Sequence, residues 1–186
     1  MRGGGVDGKP SVDRLKEEFG GKDVNDVLAL VPIIKSFKEV KKTKIGLWGI
    51  SRGGMMSFLA ATQSDKFGAI VADSAPVDVV AEAAATQRMD KVFETWIPDY
   101  HTKKAERLKE RSVYHWHEKL NDIPILLLHG NKDWRVGPEN TLRFALKLQQ
   151  TKHPYELVMY QDGHHGLRKR ATETTARAVA WFKRYL

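Results

Sequence analysis

The sequence predicts an α/β fold, a three-layer α/β/α sandwich around a mostly parallel sheet. Three observations lead there. Four apolar runs, at residues 45–48, 69–72, 125–128 and 155–160, are strand-length and bounded by Gly, Pro or Asp. Segments with helical periodicity stand between them. Runs such as Ile125, Leu126, Leu127 and Leu128 are continuously apolar, as in parallel strands that crossover helices bury on both faces. With 186 residues, 41% of them hydrophobic, the chain has material for one domain with a sizeable core, read as spanning residues 1–186.

The elements follow in order. Residues 1–10 are Gly-rich and read as a loop. Gly3, Gly8 and Lys9 come near a phosphate-binding loop, but Pro10 stands where its Ser or Thr belongs and no strand precedes it. Residues 23–38 place Val24, Val27, Leu28, Val31 and Ile34 on one helical face, with Pro32 expected to kink or split the helix. The strand at 45–48 runs into Gly49-Ile50-Ser51-Arg52-Gly53 and then a helix to about residue 64. The second strand, 69–72, ends in the turn Asp73-Ser74-Ala75-Pro76. Residues 77–120 read as mostly helical, with Phe93, Trp96, Tyr100, Tyr114 and Trp116 as an aromatic cluster. The third strand, 125–128, lies between Pro124 and Gly130. A helix at 137–150, the strand at 155–160 and a closing amphipathic helix at 171–186 complete the chain.

Composition excludes several classes. There is no Cys, hence no disulfide and no thiolate metal site. No apolar run approaches the roughly 18 residues of a membrane span. The start, Met1-Arg2-Gly3-Gly4-Gly5, has no apolar leader, so a cytoplasmic location is expected; a start inside a longer reading frame would have removed any export signal. The net charge of +8 raises a nucleic-acid reading. The basic residues are scattered over 38–44, 103–111 and 168–170, two of these stretches also containing Glu, and no nucleic-acid-binding motif accompanies them. A solvated surface is the expectation, with no nucleic-acid or membrane partner.

Gly49 to Gly53 sits on a strand-to-helix turn, the layout of a nucleophile elbow that holds Ser51 exposed above the sheet. Glycines on both sides are expected because a Cβ there would collide with the neighbouring strand and helix. The backbone N–H of Arg52 is the expected oxyanion donor, at the positive end of the helix. Four strand ends carry Ser51, Asp73, Asp133 and His165, and Ser51, Asp133, His165 is the chain order of an α/β-hydrolase triad. Such chemistry needs a His to take the Ser proton and a carboxylate to orient that His. Asp162 competes as the acid and His164 as the base, while His129 reads as hydrogen-bonded scaffold. Adjacent His164 and His165 lack a third ligand at zinc spacing, so no metal is expected. Trp134, directly after the acid, is the expected pocket residue. Trp96 and Tyr100 are candidates for an apolar pocket wall, with plain helix packing as the alternative.

Four segments, FGGKDVNDVLALVPIIK, WGISRGGMMS, LLLHGNKDWRV and YQDGHHGL, together resemble the catalytic domain of prolyl oligopeptidase-like α/β-hydrolases over nearly the whole chain. The resemblance implies Ser51 as nucleophile, Asp133 as acid, His165 as base, no cofactor, and a peptide or ester substrate cleaved through an acyl-enzyme. It also implies strands before residue 23, one of them supplying a second oxyanion donor, that this sequence does not match. The expectation is therefore an α/β-hydrolase sheet lacking its first strands, with the elbow strand at an open edge that would allow a homo-oligomer. Carboxylesterase chemistry, a catalytically impaired domain acting through association, and a basic binding module are the alternatives.

Overall fold

The computed structural model describes residues 18–40 and 44–186. The Gly-rich segment 1–10 and part of the basic stretch 38–44 lie outside the described residues. The described chain runs α1 (Val24–Ser36), β1 (Ile45–Ile50), α2 (Arg52–Ala61), β2 (Phe67–Asp73), α3 (Val79–Ala85), α4 (Gln87–Trp96) and α5 (Tyr100–Glu110). Short 3₁₀ turns at Val113–His115 and His117–Leu120 lead to β3 (Ile125–Gly130), α6 (Pro138–Gln150), β4 (Tyr155–Tyr160) and α7 (Ala171–Tyr185), the last preceded by a 3₁₀ segment at His165–Arg170. Pro32 neither splits nor ends α1.

All four strands are parallel, in the order β1-β2-β3-β4. The two-residue period of a strand sorts its side chains into two cores. Ile70, Ala72, Ile125 and Leu127 join Phe58 of α2 and Phe144 of α6, whose rings meet edge to face at 5.9 Å. Ala69, Val71, Leu126 and Leu128 pack on Ala178 and Trp181 of α7. Both faces are thus covered over β2 and β3, as expected. At β1 the cover fails on the α7 side: Trp48 is 40% and Ile50 50% exposed. Helix α7 comes close to β1 at Gly46, where a Cβ would lie 2.5 Å from the Phe182 ring. Leu30, Ile33 and Phe37 are likewise exposed on and just after α1.

Side-chain caps start the first two helices between β2 and β3 in quick succession. Asp78 accepts from Ala81 N ahead of α3, and Thr86 accepts from Met89 N ahead of α4. Glu82 then ties α3 to the start of α6. Its Oε1 accepts from Gly137 N at 3.0 Å and Asn140 Nδ2 at 2.6 Å. Burial raises the Glu82 carboxyl above its ordinary value, although both hydrogen bonds act the other way.

A raised folded pKa makes ionised Glu82 a burden on the folded state, fully present above that pKa and absent below the ordinary 4.5. Glu82→Gln keeps the Oε1 acceptor, so the variant is expected to melt higher than the parent at neutral pH. The gap should close as pH falls toward 4.5, as thermal melts across pH would reveal; a gap independent of pH contradicts this account.

Candidate active site

A single residue, Ser51, separates β1 from α2. It takes φ 55° and ψ −125°, a positive φ that a non-glycine residue holds only at a cost of about 1–3 kcal/mol. The surroundings enforce it. Ser51 N donates to the Asp73 carbonyl at 2.8 Å, and Ser51 O accepts from Gly54 N at 2.9 Å. A Cβ on Gly49 would lie 2.1 Å from the Gly53 carbonyl, so the first glycine is required, as expected. The second expectation needs correction. A Cβ on Gly53 would meet nothing within 4 Å, whereas one on Gly54 would lie 2.6 Å from Ala75 Cβ. Strand and helix approach at Gly54 because β2 and its turn pass beneath the first turn of α2. Arg52 is the first residue of α2, and its N–H has no intrahelical acceptor; its side chain turns away to Asp23 at 3.9 Å and to the Phe19 ring.

The acid and base loops are joined by glycines. A Cβ on Gly130 would lie 2.2 Å from the Gly163 carbonyl oxygen, so the ends of β3 and β4 touch backbone to backbone. Lys132 N donates to Gly163 O at 2.9 Å, and Asp162 N to Asn131 Oδ1 at 2.8 Å. In this frame Asp133 is buried. Its Oδ1 accepts from Arg135 N at 2.9 Å and Val136 N at 3.1 Å. Its Oδ2 faces His165 Nδ1 at 2.8 Å and His129 Nε2 at 3.2 Å. Burial pushes the Asp133 carboxyl up, but donation from His129, His165, Val136 and Arg135 outweighs it and holds the group well below the usual carboxylate range. The resulting stability is present above the ordinary 3.8 and is lost as pH falls through the depressed value.

His129 is fully buried, and its Nδ1 lies 2.8 Å from Thr141 Oγ1. With the Thr141 hydroxyl donating to Nδ1, the proton sits on Nε2, which donates to the Val136 carbonyl at 3.3 Å and stands 3.2 Å from Asp133 Oδ2, a tautomer assigned from these partners. The expected scaffold histidine is thus hydrogen-bonded to Thr141 and Val136, and it also lies against Asp133. His165 sits in a turn with Gly166 at φ 70° and Leu167 at φ 45°. That turn is tied to β2: Gly166 N donates to Ser74 Oγ at 3.0 Å, and Ser74 Oγ donates to Asp73 Oδ1 at 2.8 Å. Asp73 and Ser74 are buried, and burial raises the Asp73 carboxyl.

Ser51, Trp134, His164 and His165 line one open cleft of about 550 Å³, together with Ile50, Arg135, Gly166 and Arg168. Ser51 and His165 thus share a cleft, and Asp133 stands behind His165. Of the rivals, Asp162 pairs with Lys132 at 2.6 Å on the surface, whereas His164 is exposed and lines the same cleft; His165 is the one whose ring meets Asp133. Trp96 and Tyr100 do not line the cleft. Tyr100 is buried against the helices, its hydroxyl committed to Asp90, so the helix-packing alternative describes Tyr100. Among the described residues, no cluster of His, Cys, Asp or Glu could hold a metal, and no helix is long and apolar enough to cross a membrane.

A family model described as the prolyl oligopeptidase family matches residues 1–186. The chain belongs to that family. This prolyl oligopeptidase family member is 27% identical over 152 residues to the uncharacterized peptidase YtmA of Bacillus subtilis, covering 80% of the chain and 58% of the relative. It is 27% identical over 158 residues to dipeptidyl-peptidase 5 of Porphyromonas gingivalis, covering 82% and 23%. An acylaminoacyl peptidase solved with Z-Gly-Gly-Phe-chloromethyl ketone superposes with a TM-score of 0.78 at 22% identity, over 93% of this chain and 29% of that one. A Mycobacterium tuberculosis puromycin-hydrolyzing peptidase gives 0.73 at 28%, over 88% and 25%. The family fold is therefore shared, and the chain spans 58% or less of the length of these proteins.

The elbow contacts make opposite predictions for adjacent glycines. Gly54→Ala is expected to cost about 1–3 kcal/mol in urea unfolding through overpacking. Gly53→Ala should be neutral or slightly stabilising, since a helical Ala gains up to about 1 kcal/mol over Gly. Ser74→Ala strips the Gly166 amide of its acceptor, and hydrogen exchange should show that amide losing protection while the core of β3 keeps its own.

Proposed function

We propose that the chain is a serine hydrolase acting on peptide bonds, with esters as the second substrate class. The observation that carries this reading is the pairing of His165 with buried Asp133 beside a strained, exposed-side Ser51 in one cleft. His165 Nδ1 is occupied by Asp133, which leaves Nε2 for the serine proton. Ser51 Oγ attacks the carbonyl carbon while Nε2 takes its proton, and the negative charge on the carbonyl oxygen is met by the Arg52 N–H at the start of α2. The tetrahedral adduct collapses as the bond to the leaving amine or alcohol breaks and Nε2 returns the proton to it. Water then attacks the acyl ester, with its proton passing through His165 to Ser51. Asp133 stays ionised throughout, consistent with its depressed carboxyl. Peptides rank ahead of esters because YtmA and dipeptidyl-peptidase 5 are named as peptidases.

A second reading concerns assembly. Among the described residues β1 is the edge strand, with Trp48 and Ile50 exposed, and pairing of β1 with a second copy of the chain would satisfy its outer backbone groups and flank those side chains. Light scattering behind gel filtration should then give a dimer, and a stable monomer rejects the pairing.

A fluorophosphonate probe tests the chemistry. The intact protein should label, Ser51→Ala should not, and Asp133→Asn should turn over substrate about 10⁴-fold more slowly, as when a triad acid loses its charge. Equal labelling of Ser51→Ala removes the proposal.

A further inference from the structure

The cleft around Ser51 is unusual in its charge. Arg135 and Arg168 both line it, and among the described residues no Asp or Glu does. Most arginines elsewhere in the described structure face carboxylates: Arg107 faces Asp99, Arg143 faces Asp78, and Arg177 faces Glu173. Arg135 and Arg168 are exposed and make no ion pair among the described residues. The loop that presents Arg135 is also held in place. Arg88 donates to the carbonyls of Trp134 and Arg135 at 3.3 and 3.0 Å, and the guanidinium groups of Arg88 and Arg135 each lie 5.1 Å from the Trp134 ring centroid. Trp134 and Ile50 give the same cleft apolar surface. An apolar wall with two unpaired guanidinium groups suits a ligand with a short aliphatic stem and an anionic end. The planar fork of Arg matches a carboxylate in two parallel hydrogen bonds, and unopposed positive charge in a cleft concentrates anions there.

We propose that this cleft selects an acyl group carrying a carboxylate a few bonds from the scissile carbonyl, with Arg135 and Arg168 as its binding groups. The acyl side is favoured because the acyl group stays tied to Ser51 through both halves of the reaction, within reach of both arginines. An acidic residue contributing the scissile carbonyl and the half-ester of a dicarboxylic acid share this chemistry. The inference rests on the reading of Ser51 as nucleophile, so its test separates binding from turnover.

Calorimetry on the Ser51→Ala protein would compare N-glutarylglycinamide with N-pentanoylglycinamide, near-equal in length and differing in charge. The glutaryl compound is expected to bind about 10-fold more tightly at low ionic strength, with the advantage shrinking at high salt. It should fall to parity in the Arg135→Ala, Arg168→Ala double variant, whose fold is checked by circular dichroism. Equal affinity for the two compounds in the Ser51→Ala protein overturns the proposal without recourse to the arginine variants, as does a preference that survives their substitution. Turnover by the unaltered protein is read separately, with the p-nitrophenyl esters of glutarate and pentanoate and with a glutamyl anilide. Selective binding without turnover or probe labelling keeps the anionic subsite and removes the hydrolase reading. Turnover of the pentanoate ester with no preference for glutarate does the reverse. Faster cleavage of the anilide than of the glutarate ester identifies an acidic peptide as the source of the carboxylate, and the opposite order a half-ester.

Discussion

The end of β2 is where the three parts of the site are tied to one another. The Asp73 carbonyl holds Ser51 N, Ser74 N donates to the Leu128 carbonyl of β3 at 2.8 Å, and Ser74 Oγ takes the amide of Gly166 next to His165. The strand before Ser51, the strand before Asp133 and the loop of His165 are therefore referenced to the same two buried residues. Hydrogen bonds of this kind contribute only about 0.5–1.5 kcal/mol each, but a buried donor or acceptor left alone costs more. Displacing this corner would orphan several groups together, which is a strong reason for it to stay in one arrangement. Ser74 itself has φ 50°, so the corner, like the elbow above it, holds a non-glycine residue in an uncommon conformation.

Around this corner, electrostatics and close packing divide the work. Asp133 keeps its charge in a buried position because two loop amides and the His165 imidazole hydrogen-bond it and the His129 imidazole lies 3.2 Å away. A charge buried with fewer partners would have neutralised. The glycine contact between Gly130 and Gly163 lets the two loops meet at backbone distance, which fixes the separation of the acid from the base. His129, pinned by Thr141, adds a second imidazole to the acid without entering the cleft.

Much of this was legible in the sequence, and the reasons differ by residue. The strand at Ile125–Gly130 announces itself because both of its faces are covered and its run is wholly apolar. The elbow and the two loops carry Gly, Ser, Asp and His at spacings that few other structures need. Trp96 and Tyr100 were not legible, because an aromatic on an amphipathic helix reads alike whether it packs on a neighbour or lines a pocket. Gly53 and Gly54 are adjacent, and only the path of β2 beneath α2 decides which of them must lack a side chain. Ser74 reads as an ordinary turn residue before Ala75 and Pro76; its role depends on contact with Gly166, 92 positions away, which no local pattern encodes. Arg135 and Arg168 are likewise separated in the chain and meet only at the cleft.

The open edge of the sheet has a mechanical side. Among the described residues, the strand at the sheet's outer margin is β1, and Ser51 is the next residue after it. A new strand docking there would form a ladder along the peptide units that run straight into the elbow, altering their twist and rigidity. The torsion angles of Ser51 and the direction of the Arg52 amide are the next degrees of freedom in line. Covering the margin and setting the serine would then be two readings of one movement, so that assembly along β1 would be felt at Ser51.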